Sequence, residues 1–215
     1  NEHLFINETL IMPTGTHAAG GLGKISKKLS IIFAASIMAS CGSPAGGSPV
    51  DGVSTGEHRV FVTSQQKNGN LGGLAGADSL CQSSAIAAGL SRTYKAIMSD
   101  ATTNAKDRLS LLGAVYIFES ATSRQKVVDL GVDLWDSTLL RPIDRDESFN
   151  NYSGQVWSGT QSEGTVGIAT NCNSWASNSS GVSGTVGDSA FSDDRYIELG
   201  VDQTCDSVRP IYCIS

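Results

Sequence analysis

Histidine is almost missing from this sequence: there are three, and only His58 lies beyond residue 20. A catalytic centre built on an imidazole base therefore has one candidate, and no set of histidines exists to hold a metal. Cysteine is present, but no two cysteines stand at a zinc-pair spacing; Cys205 and Cys213, the nearest pair, are eight apart. Long apolar runs are absent too. The run Leu29 to Ala39 has eleven residues, against the roughly 20 that cross a bilayer as a helix. There is no basic excess either. Of 15 basic and 21 acidic residues, Lys24, Lys27, Lys28, Glu2 and Glu8 precede Cys41, which leaves 12 against 19, or −7, for the rest. That balance makes the domain a poor candidate for binding nucleic acid, heparin-like polyanions or an anionic membrane surface. No internal repeat is visible.

What is present begins with an export pattern. Lys24, Lys27 and Lys28 precede the apolar run, which ends in Ser40-Cys41-Gly42; a charged region, a short apolar region and small residues at the cut mark a secretory signal. Ile37-Met38-Ala39-Ser40-Cys41 resembles the relaxed lipobox of bacterial lipoproteins, so Cys41 is expected to become a lipid-modified N-terminus. An ordinary secretory signal with a cut near a cysteine is the competing reading. On this division residues 1–21 are a leader or follow a misplaced start, and 22–40 are the signal peptide. Residues 41–56, rich in Gly, Ser and Pro, are a flexible tether, and 57–215 form one domain by size.

Within that domain the stretch from Gly72 to Asp100 is the most regular. Leu74, Ala77, Cys81, Ala85 and Ala88 recur at steps of three and four, which predicts a helix with one buried face, while Asp78, Gln82 and Ser83 lie on the other. Gly89 stands at a left-handed C′ position and Leu90 where the closing apolar contact falls. Strands are predicted at Arg59–Ser64, Thr93–Met98, Ala114–Phe118 and Gln125–Asp129. A short helix is predicted over Asp100–Leu109, capped by Asp100 or Thr102. From Leu130 to Gly187 the composition turns to Gly, Ser, Asn, Asp and Thr, with Trp135, Trp157 and Trp175 supplying the bulk. The chain closes on two alternating runs, Arg195–Leu199 and Arg209–Ile214. Pairing the first strand with the last would bring the ends of an α+β domain together. With Cys41 lipidated, Cys81, Cys172, Cys205 and Cys213 remain. That is an even number in an exported protein, and it reads as two disulfides with three pairings possible.

The residues GxxGADxxC, AxxAGL and TYKAxxSD resemble the C-type-lectin-like fold in its endostatin-related branch. NGNLGGLAGADSLC, NCNSW and the closing RPIYCI resemble uncharacterised spirochaete (Leptospira-type) lipoproteins over most of Arg59 to Ile214. The resemblance implies an α+β, C-type-lectin-like fold with Cys81 bonded to Cys213 and Cys172 to Cys205. It carries no assigned activity. The Glu-Pro-Asn, Gln-Pro-Asp and Trp-Asn-Asp triplets of calcium-dependent sugar binders are absent, and the only proline after position 142 is Pro210. Endostatin's basic surface is absent as well.

Several constellations have bland readings beside sharp ones. Gly69, Gly72, Gly73 and Gly76 open a helix as phosphate loops do, but at neither established spacing. Gly187-Asp188-Ser189-Ala190 has the order of a trypsin-like nucleophile segment with no convincing base. Asp188, Asp193, Asp194, Glu198, Asp202 and Asp206, with Asn171 and Asn173, offer oxygens to calcium, although solvated loop acids are the commoner case. The tryptophans stack on sugars in one reading and fill a local core in the other. The expectation that follows is a lipid-anchored envelope or cell-surface lipoprotein, on the outer membrane or facing the periplasm. Its domain binds an extracellular protein or glycan, without catalysis, cofactor or resident metal, and reaches the membrane through its anchor only. Loop residues Trp175, Asn171, Asn173, Asp193 and Asp194 are the candidate contacts. A structural or protective envelope protein without a specific ligand is the alternative.

Overall fold

A computed structural model describes residues 53–167 and 170–215. The expected signal peptide, Cys41 and residues 42–52 of the tether lie outside the described residues. Along the chain come β1 (His58–Val62), α1 (Gly73–Ala87), β2 (Lys95–Ala96), α2 (Ala105–Arg108), β3 (Val115–Phe118) and β4 (Arg124–Val128). A 3-10 turn at Gly131–Trp135 then leads to β5 (Gln155–Trp157), β6 (Ser183–Asp188), a second 3-10 turn at Asp194–Tyr196, β7 (Asp202–Thr204) and β8 (Tyr212–Ile214). The architecture is α+β, with a five-stranded sheet in the order β2-β8-β1-β3-β4 and a three-stranded sheet in the order β5-β6-β7. Among the described residues no helix is long and apolar enough to cross a membrane.

The first and last strands pair antiparallel, Val60 opposite Ile214 and Val62 opposite Tyr212, and β1 also runs parallel to β3. β1 is therefore central, and its alternate side chains enter different cores because successive residues of a strand face opposite ways. Val60 and Val62 join Ile117, Leu134, Ile143, Tyr196 and Tyr212. Phe61 joins Ala77, Cys81, Tyr94, Trp157, Trp175 and Cys213 beneath α1. The loop-rich region thus supplies core to both faces of the sheet, and so it stays ordered with little regular structure of its own.

α1 buries Ala77, Leu80, Cys81, Ser84 and Ala85, a stripe slightly rotated from the predicted one, with Leu74 and Ala88 at its half-buried edge. Its C-terminus closes as expected: Gly89 has φ 75°, its N–H reaches Ile86, and that of Leu90 reaches Ala85 O at 2.9 Å. The opposite face is a staple. Asp78 accepts from Ala96 N at 2.9 Å and pairs with Arg108 at 2.6 Å, while the Gln82 carbonyl accepts from Tyr94 N at 2.9 Å. Two disulfides are formed, Cys81 to Cys213 and Cys172 to Cys205, the pairing the resemblance implies. They are the mark of a chain that matures outside a reducing compartment.

Three predicted elements shrink and one changes type; the last strand, expected over Arg209–Ile214, is only Tyr212–Ile214. The strand expected from Thr93 is only Lys95–Ala96; on its edge away from β8 the N–H groups of Tyr94 and Ala96 bond the side chains of Gln82 and Asp78. The helix expected from Asp100 begins at Ala105, because the Asp100 carboxylate folds its own turn by accepting from Thr102 N and Thr103 N. Arg195–Leu199 is no strand: Asp193 starts a 3-10 turn there, and Tyr196 and Ile197 are buried side by side, which alternation cannot do.

Candidate functional site

Cys172, Asn173, Ser174 and Trp175 have φ of 50, 54, 55 and 62°, one turn of left-handed helix made without a single glycine. Left-handed backbone costs an L-residue roughly 1–2 kcal/mol, so four in succession persist only if the surroundings impose them. The surroundings do. The Asn171 side chain accepts from Ser174 N at 2.8 Å, and Asn171 O accepts from Trp175 N at 2.7 Å. Cys172 is bonded to Cys205. The Trp175 indole N–H donates to Ser99 O at 2.8 Å, with its ring edge-on to Trp157 at 5.8 Å between centroids. Trp175 O in turn accepts from Leu71 N and Gly72 N at the start of α1. Strained backbone of this kind collects at binding and catalytic positions, where geometry is fixed in advance.

The turn forms one wall of a cavity of about 280 Å³ lined by Ala101, Val166, Gly167, Asn171, Asn173 and Ser174. Asn173 is exposed, and its amide makes no hydrogen bond to a described residue. Gly167 also borders a second hollow of about 240 Å³, whose polar lining is Gln161, Thr170, Thr185, Glu198 and Asp202. There the Asp202 carboxylate accepts from Thr170 at 3.0 Å and Thr185 at 3.2 Å, and Glu198 accepts from Ser162 N at 3.0 Å. The two hollows present amides, hydroxyls and two carboxylates, groups able to hydrogen-bond a polar ligand. Among the described residues no three His, Cys, Asp or Glu side chains are grouped to hold a metal ion.

The structure sorts the residues singled out in the sequence. Trp175 is fully buried and cannot contact a ligand; its hydrogen bond to Ser99 and its packing on Trp157 make it core, which corrects its place among the candidate contacts. Asn171 is buried and holds the turn, and Asn173 is displayed by it. Asp193 and Asp194 are brought to the second 3-10 turn and do not line either hollow. Asp193 is committed to Arg195, whose guanidinium lies 3.8 Å from the Phe191 ring centre and holds that carboxyl below its usual range. Of the six loop acids only Glu198 and Asp202 share a hollow.

The glycines before α1 have steric work. A Cβ on Gly69 would lie 2.3 Å from the Cys172 sulfur, and one on Gly76 would lie 1.8 Å from Leu71 O. Ser189, in the protease-like segment, is fully buried and bonded to Tyr152 O and Gly154 N. Ser174, Gln161, Thr170 and Thr185 went unmarked in the sequence. Their types are too common to stand out, and only the fold gathers them.

A family model described as "Protein of unknown function (DUF1554)" matches residues 64–192. That span runs from the end of β1 through α1 and the left-handed turn, and stops before Asp193. No curated protein matches the chain.

Proposed function

We propose that this chain, which belongs to the DUF1554 family, is a lipid-anchored lipoprotein of a bacterial envelope whose exported domain has a C-type-lectin-like fold and binds a protein or glycan. The fold reading is supported by the pairing of the first and last strands, by the bond from α1 to the last strand, and by the second disulfide within the long loop region. Spirochaete-type origin and placement at the outer membrane or cell surface come from the lipobox-like segment and the closing motifs of the sequence. The observation that carries the binding role is the left-handed turn, which holds Asn173 and Ser174 in one geometry at the mouth of a cavity. Binding is proposed over catalysis because the turn offers amides and a hydroxyl rather than a nucleophile beside a base.

A screen of glycans and matrix proteins with the full mature protein tests this. Asn173→Gly removes the displayed amide and suits the left-handed backbone; it should weaken the captured partner tenfold or more, the scale of one well-placed polar contact. Ser83→Ala, on the exposed side of α1, should leave capture unchanged. The reverse pattern would place the site on α1. A structural envelope role is the second reading, favoured by the complete burial of Trp157 and Trp175, which leaves a single tryptophan at the surface. It predicts no captured partner and a weakened envelope in a deletion strain.

A further inference from the structure

An apolar groove on another part of the surface has a different character. It encloses about 460 Å³, with Leu109 and Leu111 as its floor and Leu112, Val132 and Trp135 around it. Leu112 is 80% exposed and Val132 55%, so two large aliphatic side chains stand in water on either side of a hydrophobic trough. Trp135 is half-buried, and its ring lies over Gly164, where a Cβ would come within 2.6 Å of it. The indole N–H has no partner among the described residues. Two cations and one carboxylate border this trough. Lys106 and Asp107 line the groove itself, Asp107 accepting from the Asn104 amide at 2.6 Å, and Lys95 lines the neighbouring hollow beside Leu109 and Leu111. Both lysines are exposed, and neither ammonium group makes a hydrogen bond or ion pair to a described residue. Half-exposed tryptophan, protruding aliphatics and unpaired lysines together are the side chains that settle at a membrane interface.

The position of the groove along the chain adds a second reason. Gly113, next to Leu112, packs so closely on the start of the domain that a Cβ there would lie 1.7 Å from Gly56 O. Arg92 holds the same start, donating to Val53 O, Ser54 O and Glu57 O at 2.6 to 3.0 Å. Residues 53–57 are therefore held between Arg92 and Gly113, the chain neighbour of Leu112. Eleven residues separate Cys41 from Val53, so the chain between them can reach no farther than about 40 Å. At that range the local concentration of bilayer is high enough for a weak contact to stay made.

We propose that the Leu112–Val132–Trp135 groove, with Lys95 and Lys106 at its flanks, is the face on which the tethered domain rests against a zwitterionic phospholipid bilayer. This rests on the lipid anchor at Cys41 proposed above. The net charge of −7 beyond Cys41 disfavours an anionic surface, while the two lysines meet headgroup phosphates and the aliphatic tips enter the acyl boundary.

The test uses the full lipid-modified protein in vesicles of phosphatidylcholine brominated on its acyl chains. Trp157 and Trp175 are wholly buried, so Trp135 is the tryptophan that bromine can reach. The expected result is loss of the Trp135 share of the fluorescence in brominated relative to plain vesicles. Trp135→Phe should abolish the loss, and the double variant Leu112→Asp, Val132→Asp should abolish it while thermal unfolding stays unchanged. Equal emission in both vesicles, or quenching that survives the double variant, overturns the proposal. If palmitate labelling shows that Cys41 carries no lipid, the anchor reading fails separately. The same chain held at its tether by a chelating lipid then decides the groove: quenching supports it, and none overturns it. Capture of a glycan through Trp135 without quenching also overturns it.

Discussion

Trp175 and Asn173 are two residues apart and have opposite jobs. The first is fully buried against Trp157 with its N–H on Ser99 O; the second is exposed with an unengaged amide. Trp175→Ala removes a core indole and strands the Ser99 carbonyl, so it should cost about 3–5 kcal/mol, the range for large-to-small changes of this size. At roughly 2–4 °C per kcal/mol for a domain of this length, calorimetry should show a fall of about 6–20 °C. Asn173→Gly should stay within about 1 kcal/mol of the parent, since glycine accepts positive φ freely. An equal loss in both would mean that the turn is not held as described. At the N-terminal edge, Glu57 accepts from Ser54 N and Arg124 at 2.8 Å each, and these bonds lower its pKa, the backbone bond most and the Arg124 contact next. The folded pKa lies below the unfolded one, so the stabilisation is whole at neutral pH and disappears as pH falls through the depressed folded value. Hydrogen exchange at residues 53–57 should therefore quicken below the usual carboxylate range in the parent, and much less in Glu57→Gln. That no acid-dependent difference separates the two would refute it.

At the scale of elements, what could be read in advance followed periodicity and what could not followed long-range packing. α1 and its glycine stop are local: a 3.6-residue stripe and a left-handed C′ position need only neighbours in sequence. β6 was unreadable, because Ser183–Asp188 contains two glycines and three polar residues and looks like loop. Its glycines are set by partners elsewhere. A Cβ on Gly184 would lie 2.9 Å from the Cys172 sulfur, and one on Gly187 would lie 2.0 Å from Tyr196 O. The left-handed turn was equally hidden, since no local preference puts Cys, Asn, Ser and Trp in that region together. Its conformation is dictated by the Cys205 bond, the Ser99 acceptor and the start of α1, all distant in sequence. The candidate site was legible only as a region rich in Asn and Asp; which of those side chains point outward was decided by the same distant contacts.

Across the whole molecule the two disulfides divide the labour between fold and site. Cys81–Cys213 spans 132 residues and pins α1 to the last strand, where β1, β2 and β8 already pair and the core beneath α1 is apolar. Cys172–Cys205 spans 33 residues and closes the region that has least regular structure, and it is anchored at the first residue of the left-handed turn. In the chain-entropy picture the shorter loop contributes about 4 kcal/mol, a large part of the net stability of about 5–15 kcal/mol of a typical domain. Its loss should nevertheless be local. The double variant Cys172→Ala, Cys205→Ala leaves the five-stranded sheet and the α1 bridge in place, while nothing covalent then opposes the unfavourable φ of Cys172 to Trp175. Amides in β1, β3 and β8 should keep nearly all their protection against hydrogen exchange, those from 170 to 206 should lose most of theirs, and capture of any partner through Asn173 should disappear. Removing Cys81 and Cys213 instead should lower protection everywhere at once, because the helix and the sheet separate together. Uniform loss of protection in the Cys172, Cys205 variant would show that turn and sheet are one cooperative unit, and would remove the basis for treating the turn as a separately held binding edge.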